Sequence, residues 1–204
     1  AISSYETAVA RMRELIQEMA PTLSMRVQPP FYDHPAYIGA LVATAEPELR
    51  RGFDHLLFSF HGLPERHIRK ADPSKKQCLV RSDCCEIDGP ATPTCYRAQC
   101  VRTMKAFVAK AGLGECSFSF AFQSRFGPGR WLQPETFDTI KHLGHQGCKR
   151  LVVICPSFVV DCLETLEEIG VRAKELYQNA GGGEFVMVPC LNDHPAWLDA
   201  LTQM

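Results

Sequence analysis

No apolar run in this chain approaches the roughly 20 residues that a membrane span requires, so no transmembrane segment is expected. Neither sign of charge dominates, with 22 Lys and Arg against 23 Asp and Glu. The formal net charge of −1 offers no basic field for nucleic acid, and no nucleic-acid partner is expected. There is no internal repeat and no signal-peptide pattern at Ala1. The opening Ala1-Ile2-Ser3-Ser4 reads as internal to a longer chain. No C-x2-C pair occurs among the ten cysteines, which argues against a zinc ribbon. A secreted disulfide scaffold would be shorter and richer in loops, so the thiols point to a reducing compartment and a cytoplasmic location. What is present is 204 residues, 46% hydrophobic, enough for one sizeable α/β domain with its own core.

Helical and strand periodicities alternate along the chain. Val9, Met12, Leu15, Ile16 and Met19 repeat at helical spacing over residues 5–19, and Pro21 closes that helix. Ser24 to Gln28 reads as a short strand stopped by Pro29-Pro30. Asp33-His34-Pro35 opens a helix that runs to about Arg50. Strands are expected at Leu56–Phe60, Ser117–Phe122, Leu151–Cys155 and Glu184–Val188. Helices are expected at Ala98–Ala111, Gln133–His145, Asp161 to about Gln178, and His194–Gln203. Five strands interleaved with helices predict an α/β fold, a Rossmann-like parallel sheet flanked by helices. Residues 71–97 break the pattern; they are polar, cysteine-rich and read as an insertion.

Two segments end a run of strand formers in groups that take a proton or a metal. His61 follows its strand directly, and so projects from the carboxyl edge of the sheet, where open α/β folds bind ligands. A histidine there can act as base or ligand; the alternative is a packed, hydrogen-bonded and inert ring. His55 and His67 are read as structural or solvent-facing. In the second segment, Asp161 and Glu164 have the spacing of an N-cap and its partner, so Glu164 could simply satisfy a backbone N–H. Glu168 lies one turn on, and two carboxylates stacked in this way could equally pass a cation or protons. Arg172, a further turn along, does not extend the row.

Cys78, Cys84, Cys85, Cys95 and Cys100 form the spacing C-x5-C-C-x9-C-x4-C. Four thiolates can hold a 2Fe–2S cluster or a zinc ion; free buried thiols are the alternative. The neighbours Cys84 and Cys85 would strain a single site if both ligated it, so four ligands of the five are expected. Cys116, Cys148, Cys155 and Cys190 are read as small hydrophobes in or beside core elements.

Three stretches together carry a family resemblance. Phe58-Ser59-Phe60-His61-Gly62-Leu63-Pro64-Glu65-Arg66-His67, Asp161-Cys162-Leu163-Glu164-Thr165-Leu166, and Gln123-Ser124-Arg125-Phe126-Gly127 with Trp131-Leu132 resemble the signatures of ferrochelatases. These enzymes insert ferrous iron into protoporphyrin IX, or a related porphyrin, in haem biosynthesis. The resemblance runs along the whole chain and covers the family's C-terminal half. It implies that residues 1–204 form one chelatase lobe and that an N-terminal lobe, absent here, supplies the other wall of the cleft. It also implies catalytic roles for His61 and Glu164 towards the substrate iron, with Glu168 on a proton or metal path. Trp131 and Phe158 would lie near the porphyrin ring, and Arg125 would be structural. Cys162 stands where some members carry a second histidine. The cysteine segment resembles that of bacterial members with an internal 2Fe–2S cluster. Two other readings remain: a related chelatase for another metal or tetrapyrrole, and a redox-sensing iron–sulfur or zinc domain.

Overall fold

The computed structural model describes residues 2–114 and 116–204. Four parallel strands form one sheet in the order β2-β1-β3-β4. They are β1 (His55–His61), β2 (Phe118–Gln123), β3 (Arg150–Ile154) and β4 (Glu184–Met187). β1 is central, with Phe58 opposite Phe120 on one side and Ile154 on the other. Helices separate the strands: α1 (Ile2–Met19), α2 (Pro35–Arg50), α3 (Glu65–Ala71), α4 (Tyr96–Ala111), α5 (Thr136–His145), α6 (Leu163–Leu166), α7 (Lys174–Asn179) and α8 (Pro195–Gln203).

The period of two along β1 sorts its side chains onto two cores. Leu56, Phe58 and Phe60 pack with Tyr37, Ile38 and Leu41 of α2, with Val101, Met104 and Phe107 of α4, and with Trp197 of α8. Leu57 points the other way, into a smaller core with Ile140 of α5 and Tyr177 of α7. A sheet buried on both faces explains why Leu151-Val152-Val153-Ile154 is apolar at every position.

Helix starts follow local chemistry. His34 and His194 each cap a helix, accepting from the N–H of Ala36 and Ala196 at 3.3 and 3.2 Å, and each precedes a proline in the first turn. At the other end, α4 stops at Gly112, whose φ of 68° is left-handed.

Three expectations need correction. Ser24–Gln28 forms no strand; Met25 and Val27 alternate inward, but no strand lies alongside to pair with them. Instead Tyr5 Oη donates to the Gln28 carbonyl at 2.6 Å. The helix expected from Gln133 starts at Thr136, because Glu135 takes the cap and accepts from Asp138 N–H at 2.8 Å. The helix expected over Asp161 to Gln178 is three pieces, with a π-helical turn at Glu168–Ala173 between α6 and α7. There the Glu167 carbonyl accepts from both Val171 and Arg172, at 3.2 and 3.0 Å. Residues 72–95 contain neither helix nor strand. Among the described residues no helix is long and apolar enough to cross a membrane.

Candidate active site

His61 is the last residue of β1, half-buried, with its main chain held on both sides. Its N–H donates to Ser157 Oγ at 2.9 Å, and its carbonyl accepts from Tyr96 Oη at 2.9 Å. Its ring Nδ1 lies 2.6 Å from the Gly62 carbonyl. A carbonyl only accepts, so Nδ1 carries a proton and Nε2 is left as the ring's basic nitrogen in the neutral form. The Phe158 ring lies 6.0 Å from the imidazole, centroid to centroid.

Gly62 is where chain segments crowd. Its N–H donates to the Gln123 carbonyl at 2.7 Å. A Cβ on Gly62 would stand 2.8 Å from that oxygen and 3.3 Å from the Trp131 ring, so no larger residue fits without displacing one of them. Trp131 is fixed by an antiparallel bridge to Pro64, and its buried indole Nε1 has no partner among the described residues. Arg125 is exposed and donates to the Gly129 carbonyl at 3.3 Å.

Glu164 sits in α6, half-buried. The expected Asp161–Glu164 capping box does not form. Cys162 is the N-cap instead, and Thr165 closes the box by accepting from Cys162 N–H at 2.9 Å. Asp161 is occupied elsewhere, accepting from Asn192 Nδ2 at 2.7 Å and Thr165 Oγ1 at 3.0 Å. Glu164 is therefore not the partner of the N-cap, although its carboxylate accepts from its own backbone N–H. The Cys162 thiol, its own backbone N–H and the charge on His61 hold its carboxyl below the usual glutamate range.

Glu168 does not share that environment. It is 8% exposed, and both carboxylate oxygens accept from Ser124, from N–H and Oγ at 2.7 Å each. Ser124 adopts a φ of 62° to present both donors to one carboxylate. The next residue back, Gln123, is fully buried. Its Nε2 donates to the Glu164 carbonyl at 2.6 Å, and its Oε1 accepts from Ser59 Oγ at 2.6 Å. Sequence reasoning gave neither Gln123 nor Ser124 a role. Gln123 follows the alternating Phe118-Ser119-Phe120-Ala121-Phe122 run, and a polar group ending such a run at the carboxyl edge was the signal available.

The cysteine segment packs beside the site. Cys78, Cys84, Cys85 and Cys95 are all buried and free. Cys84 and Cys85 have their sulfurs 3.9 Å apart, and Cys95 interacts with both Cys78 and Cys85. Arg97 donates to Cys85 Sγ at 3.1 Å. Burial pushes the Cys78 and Cys84 thiols above the usual thiol range. Cys100 stands at the margin of the group, also within reach of the Cys85 charge. Cys100 interacts with Tyr96 and lines an apolar cavity of about 240 Å³ with Tyr37, Phe60 and Pro156. Four buried sulfurs suit an iron–sulfur cluster or zinc in donor type. Among the described residues, however, no three His, Cys, Asp or Glu side chains stand in a set ready to hold a metal ion. The fold of the segment rests on Asp72, which accepts from Cys78 N–H at 2.8 Å and from Gln77 and Ser74 N–H at 2.9 Å. Those bonds, that from Cys78 first, hold its carboxyl far below the usual range.

Of the other histidines, His55 lies at the opposite end of β1, its ring nitrogens each 2.7 Å from a serine hydroxyl, Ser117 and Ser119. His67 in α3 has a buried, unpartnered Nδ1.

The family model described as Ferrochelatase matches residues 1–204. The chain is 51% identical over 203 residues to the ferrochelatase of Azotobacter vinelandii strain DJ, covering 99% of this chain and 60% of that protein. It is 50% identical to the ferrochelatase of Stutzerimonas stutzeri A1501 and 49% identical to that of Pseudomonas putida W619, with the same coverage. The chain thus spans about 60% of the length of these curated relatives. With the family model matching it from end to end and half of its positions identical to those relatives, the chain belongs to the ferrochelatase family.

Proposed function

We propose that the protein inserts ferrous iron into a porphyrin, protoporphyrin IX or a close relative, as a nitrogen–metal lyase of haem synthesis. The observation that carries this reading is the convergence of a basic His61 Nε2 and an ionised Glu164 at one edge of the sheet, in a chain of this family. Two pyrrole N–H bonds break, iron–nitrogen bonds form, and two protons leave. His61 Nε2 and the Glu164 carboxylate are the acceptors, and both can replace water on the incoming ion. Phe158 beside the imidazole and Trp131 against Gly62 supply apolar surface for a flat ring. Glu168 extends the proton or metal path behind Glu164. Its clamp by Ser124 keeps the carboxylate in place, with lone pairs to spare. Residues 1–204 act as one lobe, and the remaining length of the relatives supplies the facing wall of the cleft. Ten free cysteines fit a cytoplasmic enzyme.

The intact enzyme, given ferrous iron and protoporphyrin anaerobically, should produce the absorbance of the metalloporphyrin. No turnover with iron, but turnover with another divalent metal or another tetrapyrrole, would replace this reading with the related chelatase.

We further propose that Cys78, Cys84, Cys85 and Cys95 hold a 2Fe–2S cluster. Four buried sulfurs with no disulfide partner support this, as does Arg97 beside Cys85 to offset thiolate charge. When bound, such a cluster supplies cross-links and a one-electron centre. Protein made anaerobically should be brown, with about two irons and two acid-labile sulfides per chain. Serine at any of the four positions should bleach it, and Cys100→Ser should leave the colour. Stoichiometric zinc without sulfide would make the site a structural zinc centre.

A further inference from the structure

We propose that Gln123 is a positioning residue that sets the separation between His61 and Glu164. The inference rests on the chelatase reading above and adds to it how the two groups are held in register.

Gln123 is bonded to both catalytic segments. Through its main chain it accepts from Gly62 N–H at 2.7 Å, one peptide beyond His61, and it pairs with His61 in the strand register. Through its side chain it donates from Nε2 to the Glu164 carbonyl at 2.6 Å. The amide cannot be turned over. The Glu164 carbonyl only accepts, so it must face the NH2 group. On the other side, Oε1 accepts a hydrogen bond from Ser59 Oγ at 2.6 Å, and Ser59 Oγ lies 2.9 Å from Thr136 Oγ1. Cys155 Sγ adds a weak donor at 3.5 Å. Gln123, Ser59 and Thr136 all have no exposed surface. A polar network at zero exposure in which each side-chain polar atom has a partner resists displacement, because a shift leaves a buried donor or acceptor unpaired.

The reach is as specific as the bonding. Gly62 has no Cβ, and one would stand 2.8 Å from the Gln123 carbonyl oxygen. That close approach draws β2 against the His61–Gly62 peptide. Ser124, the next residue, clamps Glu168 with two bonds. The end of β2 therefore fixes the His61 peptide, the Glu164 peptide and the Glu168 carboxylate within two consecutive residues. α6 spans only Leu163–Leu166 and runs into a π turn, so it has little helix of its own to hold Glu164 still.

The test uses the intact enzyme and three variants. Gln123→Glu keeps the size and the acceptor facing Ser59 but puts an oxygen opposite the Glu164 carbonyl. Gln123→Met keeps the length and removes donor and acceptor together. Ser59→Ala removes the bond to Oε1 and leaves the bond to Glu164. Both Gln123 variants should lose about 10- to 100-fold in kcat, the cost of a misplaced catalytic group. Their KM for porphyrin should change less than about twofold, as expected when only a transition-state interaction is lost. Ser59→Ala should melt at a lower temperature and lose less kcat than either Gln123 variant, because the bond to the Glu164 carbonyl remains. Wild-type kcat in either folded Gln123 variant, or a KM for porphyrin that rises in step with the fall in kcat, would overturn the inference, as would equal kcat losses in Ser59→Ala and Gln123→Glu. If wild-type enzyme itself inserts no metal, the chelatase reading fails, and that result is distinct from either of these.

Discussion

His61→Ala in the intact enzyme is expected to abolish metal insertion while leaving the fold in place. The side chain's one hydrogen bond among the described residues is to the adjacent Gly62 carbonyl, so its loss orphans no distant group. The strand end stays anchored because Ser157 and Tyr96 grip the main chain, not the ring. What disappears is Nε2, the basic nitrogen at the sheet edge. Loss of a positioned general base costs typically 10²- to 10⁴-fold, and loss of a metal-exchanging ligand adds to it. Metalloporphyrin absorbance and a melting curve, measured on the same preparation, separate the two effects. Turnover near that of wild type would remove His61 from the chemistry.

Glu164→Gln should produce the second-largest loss, again with little change in melting temperature. Had Glu164 been the partner of an N-cap, its removal would cost about 0.5–2 kcal/mol of stability. Cys162 and Thr165 perform that task, so the stability change should be smaller. Activity should fall by about 10²-fold or more, since glutamine neither accepts a pyrrole proton nor attracts a divalent ion. The pH dependence carries a sign. Because the folded environment lowers the Glu164 carboxyl, the ionised form persists as pH falls past the ordinary glutamate value, and its titration midpoint, read from the carboxyl carbon by NMR, should lie below that value. A melting temperature that drops while activity survives would make Glu164 structural.

The sequence made much of this legible, for reasons that differ by element. The buried strands could be read because a sheet covered on both faces leaves continuous apolar runs, as in Leu151–Ile154. The His34-Pro35 and His194-Pro195 starts could be read because the cap and the fixed φ of proline act locally. Ser24–Gln28 misled because strand propensity says nothing about a pairing partner, and none lies beside it. His61 and Glu164 stood out by position after a strand and at a helix start. The bonds that hold them did not stand out, because they run between residues far apart in sequence: Gln123 to Glu164, Tyr96 to His61, Ser124 to Glu168. The Asp161–Glu164 spacing looked like a cap, yet Asp161 is drawn off by Asn192, a partner 31 positions away.

The π turn at Glu168–Ala173 makes the segment after Glu164 a matter of counting. One residue occupies roughly 100° of an α-helix, so the wider turn offsets by about that angle everything that follows it. Read as one unbroken α-helix, Glu164, Glu168 and Arg172 would stack on a single stripe. Here Glu168 turns inward to Ser124, while Arg172 lies out on the surface paired with Glu167. The offset also lets Ile169 and Ala173 join Tyr177 in the core without pulling Glu164 in after them. The number of residues between Glu164 and Tyr177 thus works like the tooth count of a gear. A single deletion there would set either the core or the carboxylate on the wrong face.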